Sequence, residues 1–278
     1  MRVEITQLVA RFPKGYFIQW ALFDATEGGS YEVTVERAGG PEGPWATVLA
    51  ATTNQYAVLD ELNQQPATLT YLPPNQLTTS ERVTYRVRVK APSGREFECV
   101  KEADAFRANA TPGALKLLQH KRHLQMEFHK SLRYLGTEVL LFKRRRWGTR
   151  CPRCYDARTN KVMRADCRAC WGVGFEGGYW SPVSTQAVRS SLNSTATPTQ
   201  DKKAEGVSAD IILPEYPLVE PDDLLICLED QRRFLLQSQK QPEIRLRGVF
   251  QLIDAIELAR DHVLFGIPVQ PVTTPPLF

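Results

Sequence analysis

Four of the six cysteines carry the chemistry that this sequence announces most clearly. Cys151-Pro152-Arg153-Cys154 and Cys167-Arg168-Ala169-Cys170 are two CxxC knuckles with twelve residues between them. Each knuckle turns tightly enough to aim two sulfurs at one point, and two knuckles complete a tetrahedral shell for a metal ion. A closed set of four thiolates leaves no position for water or substrate. The expected cofactor is therefore a structural zinc ion (Zn2+) on Cys151, Cys154, Cys167 and Cys170, with a pair of disulfides as the competing use of the same residues. Energetics favour the metal. Between Arg150 and Trp180 the large apolar residues are Tyr155, Val162, Met163, Trp171, Val173, Phe175, Tyr179 and Trp180, too few to build a core. Structural zinc contributes on the order of 10–16 kcal/mol of apparent binding energy, against ~2–4 kcal/mol for a short-loop disulfide. Cys99 and Cys227 stand apart and are expected to be buried thiols, since free cysteine packs like a small hydrophobe.

A second cluster precedes the first. Lys143, Arg144, Arg145, Arg146 and Trp147 could grip a phosphate backbone with an aromatic ring beside the cations, or meet an acidic face of a neighbouring subunit. They lie in an uneven charge distribution. Lys116 to Arg168 holds fifteen Lys or Arg against four acids, while the rest of the 278 residues holds 20 basic and 27 acidic, giving a net charge of +4. Arg150, Arg153, Arg158, Lys161, Arg164 and Arg168 have a local explanation, as cations that lower the pKa of nearby thiols. His120, His123 and His129 are expected to be surface or interface residues. The sequence contains no GxSxG elbow, HExxH, Walker-type loop or strand-linked GxGxxG, so no enzyme activity is expected.

The elements that must position these residues are mainly β. Residues 1–108 carry short apolar or alternating runs, Phe17–Leu22, Tyr31–Arg37, Trp45–Leu49, Tyr56–Leu59, Val83–Val89 and Glu96–Val100, separated by turn clusters such as Gly39–Pro44. That spacing indicates a β-sandwich. Thr111-Pro112 opens a connector helix over about 109–136, with Leu117, Leu124, Phe128, Leu132 and Leu135 forming one apolar stripe and Gly136 closing it. A basic segment with the knuckles follows at 137–189. A β-rich domain spans 190–267, beginning with a long polar loop at 190–206. It contains a hairpin of Asp223–Leu228 and Arg233–Leu236, then Ile244–Ile253 and Val263–Ile267. Residues 268–278 are proline-rich and read as an extended tail.

The order Trp20 strand, YEVTVER, GPW turn, YAVL, VTYRVRV and APSG turn resembles a fibronectin type III domain over about residues 1–108. The resemblance implies that Trp20 is the buried core tryptophan and Tyr85 the tyrosine of the penultimate strand. Gln64–Arg82 is longer than the usual connection and is expected to hold an inserted strand or loop. The second knuckle and its continuation Trp171-Gly172-Val173-Gly174 are similar to the CxxCxGxG repeat of J-domain co-chaperones, but no J domain accompanies it.

From Arg150 to Val269 the chain is similar to tailed-bacteriophage proteins of the neck, tail or baseplate. The residues that carry this are CPRC…CRACWGVGFEGGYW, Leu218–Leu225, Asp230–Phe234 and RLRGVFQLIDAIELARDHVLFGIPV. The resemblance implies a non-enzymatic virion structural protein, a neck, connector, collar or baseplate component. Its expected partners are copies of itself in a cyclic homo-oligomer and other virion proteins. A nucleic-acid-binding zinc-ribbon protein is the alternative, and a carbohydrate or cell-surface binding module is another. Glu4, Arg11 and Lys14 occupy the place of a signal-peptide core, and no stretch approaches the ~18 apolar residues of a membrane span. Synthesis in the host cytoplasm, residence in the virion and no membrane partner are the matching expectations.

Overall fold

A computed structural model describes residues 1–11, 15–25, 27–61, 83–103, 112–159, 161–189, 208–240 and 249–269. The chain forms two compact units, one of residues 1–123 with 147–149 and one of residues 124–146 with 150–278. The inserted segment expected within Gln64–Arg82 and the polar loop at 190–206 lie outside the described residues, as do residues 270–278 of the proline-rich tail. The fold is mainly β with one long helix and a four-cysteine cluster. No helix among the described residues is long and apolar enough to cross a membrane.

The first unit contains a seven-stranded sandwich of the fibronectin type III-like kind. Strands β1 (Arg2–Arg11), β2 (Gly15–Phe23) and β5 (Ala57–Glu61) form one sheet in the order β1-β2-β5. Strands β3 (Glu32–Ala38), β4 (Ala46–Thr52), β6 (Thr84–Lys90) and β7 (Glu96–Glu102) form the other in the order β4-β3-β6-β7. Successive side chains of a strand point to opposite faces, and here Val33 and Val35 on β3 and Tyr85, Val87 and Val89 on β6 send alternate residues into the core. Trp20 is 1% exposed, and Tyr85, on the penultimate strand β6, is fully buried. The Tyr85 hydroxyl donates to Asp60 Oδ2 at 2.7 Å, and Arg37 donates to both Asp60 oxygens at 2.9 and 2.8 Å. One carboxylate thus ties β5 of one sheet to β3 and β6 of the other. The alternation that should betray β1 breaks where its pairing with β2 slips between Ile5 and Gln7. A bulge of this kind shifts the faces by one residue and hides the strand from a period-two reading.

Helix α1 (Pro112–Leu135) begins with proline in its first turn, where the missing N–H costs no helical bond. It ends at Gly136, whose N–H donates to Leu132 O at 2.8 Å. The second unit begins within α1. There Leu132 is buried and the Phe128 ring lies 5.3 Å from Phe250. Leu135, expected in the apolar stripe, is 75% exposed, because in the last helical turn Leu132 faces the core while residues 133–135 face solvent.

Six antiparallel strands then close a barrel: β8 (Thr137–Phe142), β11 (Val183–Arg189), β12 (Ser208–Pro214), β15 (Phe250–Glu257), β14 (Arg233–Lys240) and β13 (Leu224–Cys227), which pairs with β8 again. Its interior is filled by side chains including Val139, Leu141, Ile211, Leu225, Phe234, Leu236 and Ile253, as in other small barrels. Cys227 belongs to this core, whereas Cys99 on β7 is half-buried. The knuckles fall between β8 and β11, together with a short hairpin of β9 (Tyr155–Asp156) and β10 (Lys161–Val162). The segment 137–189 therefore contributes two barrel strands around an inserted four-cysteine loop, and the barrel takes strands from both sides of the expected domain boundary at 190. The expected hairpin is β13–β14. The expected strand at Ile244–Ile253 is β15, displaced to Phe250–Glu257, with 241–248 outside the described residues. Val263–Ile267 is not a strand but a 3₁₀ turn over Val263–Gly266. Its Leu264 and Ile267 carbonyls accept from buried Arg233 instead of from a neighbouring strand.

Candidate metal centre

Backbone turns, not a core, bring the four sulfurs together. Tyr155 N–H donates to Cys151 O at 3.1 Å and Met163 N–H to Cys154 O at 2.7 Å, closing the first knuckle. Gly172 N–H donates to Cys167 O and Val173 N–H to Cys170 O, closing the second. Cys151 N–H reaches Gly174 O at 3.0 Å, which joins the two. Gly172 and Gly174 adopt φ of +77° and +85°, and a Cβ would lie 2.4 Å from Ala165 O in the first case and 2.4 Å from Val162 Cγ2 in the second. Both positions thus require glycine sterically as well as conformationally.

All four cysteines are buried free thiols, and their sulfurs lie within 4.8 Å of one another. Cys151 Sγ is 4.0 Å from Cys167 Sγ, and Cys154 Sγ is 3.2 Å from Cys170 Sγ. A tetrahedral site with metal–sulfur bonds of ~2.3 Å has edges of ~3.8 Å, so the cluster is of the right size for one ion. Gly174 N–H donates to Cys170 Sγ at 3.3 Å, the kind of outer contact that orients a thiolate ligand. The donor set fits a metal.

The cations play a different part from the one their sequence position suggests. Arg153, Arg158, Lys161, Arg164 and Arg168 are exposed, and Arg150 stacks on Tyr155 and Phe175, 4.6 and 4.2 Å from the ring centres. Burial raises the Cys154 and Cys170 thiols. Burial also opposes ionisation of Cys167, but hydrogen bonds from the N–H groups of Ala169 and Cys170 and from the Cys170 and Cys154 thiols bring it down to about 7. Local hydrogen bonds lower that one thiol.

A scan against protein-family models finds no match, and neither does a search of curated proteins.

The basic run is engaged within its own unit. Lys143 is buried, with Nζ 3.1 Å from Asp223 Oδ2, 3.0 Å from Glu220 and 2.9 Å from Leu218 O. Arg144 donates its N–H to Asp223 Oδ1 at 2.9 Å and pairs with Asp222. Arg145 donates to Tyr179 O at 3.1 Å and covers the Trp180 ring at 4.1 Å. Arg146 pairs with Glu220 at 3.1 Å and donates to Pro221 O. Trp147 is buried, so its ring is not an open stacking face. Burial raises the Asp223 carboxyl against the pull of Lys143, whereas at Glu220 Lys143 and Arg146 overcome burial and hold the carboxyl below its usual range. Asp222, Asp223 and Glu220 are site residues that the basic run alone does not identify. Their signal is the EPDD cluster, which matches the run in charge but sits more than seventy residues away in sequence. On α1, His120 and His123 are exposed, and His129 lies 3.2 Å from buried Glu215.

Beyond the sulfurs, the loop packs on the barrel. Val173, Phe175 and Tyr179 cluster with Leu140 and Phe142 of β8, Leu224 and Ile226 of β13, and Leu264 and Ile267 of the 3₁₀ turn. This explains why Val139–Phe142 of β8 and the whole of β13 are continuously apolar: one face fills the barrel and the other lies under the loop.

Proposed function

We propose that the four cysteines hold one structural zinc ion, and that the protein is a non-enzymatic structural component of a tailed-bacteriophage particle, at its neck, tail or baseplate. The closed sulfur shell supports the metal half, since all four donors come from the chain, are buried and lie within 4.8 Å of one another. The particle half is supported by where the segments bearing the resemblance meet. The cysteine loops pack on the strand that follows Leu218–Asp223, that acidic stretch takes up Lys143, Arg144 and Arg146, and Arg233 holds the turn at Leu264 and Ile267. Residues scattered over 120 positions thus build one body together with β8 and Lys143–Arg146, as a module selected for a stable shape would.

Such a module acts by presenting surfaces to copies of itself in a cyclic homo-oligomer and to other particle proteins. The nucleic-acid reading loses its main support, because every cation of Lys143–Arg146 has a partner inside the unit. Elemental analysis of purified protein tests the metal, with one zinc per chain expected. Native mass measurement tests the assembly, with a closed ring expected. A monomer at all concentrations that is retained on duplex DNA in a salt-dependent way would overturn the particle reading in favour of nucleic acid.

A further inference from the structure

We infer that metal binding at the four cysteines also controls whether the segment from Val263 to Val269 is fastened to the barrel; the inference rests on the metal reading above. The link is Trp171. It follows the last ligand, Cys170, directly and is held in the left-handed region at φ +53° by the turn that closes the second knuckle. Its ring abuts Gly266 in the 3₁₀ turn, where a Cβ would lie 2.8 Å from Cζ3 and 3.3 Å from Cη2. Leu264 and Ile267, on either side of Gly266, are buried against Val173, Phe175 and Tyr179 of the same loop.

The segment is therefore gripped from two sides that differ in origin. On one side Arg233 of β14 donates to Leu264 O and, at 3.1 Å, to Ile267 O, and stacks on Phe265 at 4.9 Å. This grip belongs to the barrel and needs no metal. On the other side, the Trp171 and Val173–Tyr179 surface stands on a loop ordered by its sulfurs. Removing the ion unties the two knuckles, and Trp171 and its neighbours lose the geometry that places them over Gly266. The barrel side, Arg233 on the carbonyls and Leu140, Phe142, Leu224 and Ile226 in the cluster with Leu264 and Ile267, then holds the turn without its cover, and a segment gripped on one side opens locally without global unfolding. Whatever follows Val269 in sequence departs from a point that the metal loop helps to fix.

The experiment is hydrogen exchange by mass spectrometry on the full chain, as purified and after chelation, with metal content measured on each sample. Chelation is expected to raise exchange about tenfold or more across 151–180 and 263–269 together. Strands β12 and β15 should stay protected. Trp171→Ala should keep its metal and its protection at Cys151–Cys170, yet expose 263–269. Unchanged protection of 263–269 after verified metal loss, or in Trp171→Ala, would overturn the inference. Purified protein without metal would overturn the zinc reading instead, and the Trp171→Ala result would then decide whether the Trp171–Gly266 contact fastens the segment without it.

Discussion

The sandwich and the cysteine loop solve the same problem with opposite means. The sandwich orders its chain by burying apolar side chains of β1, β2, β3 and β6, and Trp20, Tyr85, Val35 and Val87 leave almost no surface to water. The loop cannot do so on its own. Among the described residues between Cys151 and Cys170, those buried are the four cysteines themselves, and the loop's β hairpin has two residues per strand. Its apolar side chains, Val173, Phe175 and Tyr179, come after the last ligand and spend their area on the barrel. A core built from many weak contacts tolerates the loss of one. A loop held at four points does not.

The largest expected effect breaks the loop side of this comparison. Cys167→Ser should release the metal and abolish order across 151–180, forfeiting a contribution on the order of 10 kcal/mol, while the sandwich stays folded. Elemental analysis together with exchange of the two regions checks it; a variant that keeps its metal and its protection would mean that three sulfurs suffice. Next comes the sandwich. Trp20→Ala should cost roughly 3–5 kcal/mol, as for a large buried aromatic, read by chemical denaturation of a fragment of residues 1–108, which should fold alone. A near-neutral result would show that no single aromatic dominates that core.

The basic run sharpens the contrast within the barrel unit. Lys143→Met leaves Asp223 buried without its cation and should destabilise the unit by about 3–5 kcal/mol. Arg146→Ala removes a half-exposed pair and should cost only ~0.2–1 kcal/mol. Equal effects, measured by denaturant midpoint, would contradict the burial difference. The smallest effect is a pH dependence of the sandwich. Burial opposes the charge on Glu36, but Arg86 and Arg88 beside it overcome that and hold its carboxyl below the usual 4.5. Ionised Glu36 therefore stabilises the fold above about pH 4.5, and the contribution disappears as pH falls through the depressed folded value. Glu36→Gln should lower the neutral-pH stability of residues 1–108 and so flatten the acid limb of the curve, leaving stability well below pH 4.5 nearly as before.

What the sequence determined by itself was whatever depends on short-range pattern. The CxxC spacing identified the sulfur cluster because each knuckle is a local turn. The alternation in Val83–Val89 and Tyr31–Arg37 identified strands because period two is a property of a single strand, and Pro112 and Gly136 bounded the helix because both act on their own backbone. Tertiary structure decided what depends on closure. Only the pairing of β8 with β13 and β11 made the knuckles an insertion in a barrel, since strands 137–142 and 183–189 are short and one of them is apolar on both faces. Only that pairing brought Glu220, Asp222 and Asp223 to Lys143–Arg146 and turned an apparent phosphate grip into an internal ion network. Val263–Ile267 read as a strand because apolar runs look alike whatever covers them; its turn was set by an arginine thirty residues earlier that claimed its carbonyls. Charge and hydrophobicity are written residue by residue, but which charge meets which, and which face is covered, is settled only when distant segments close on one another.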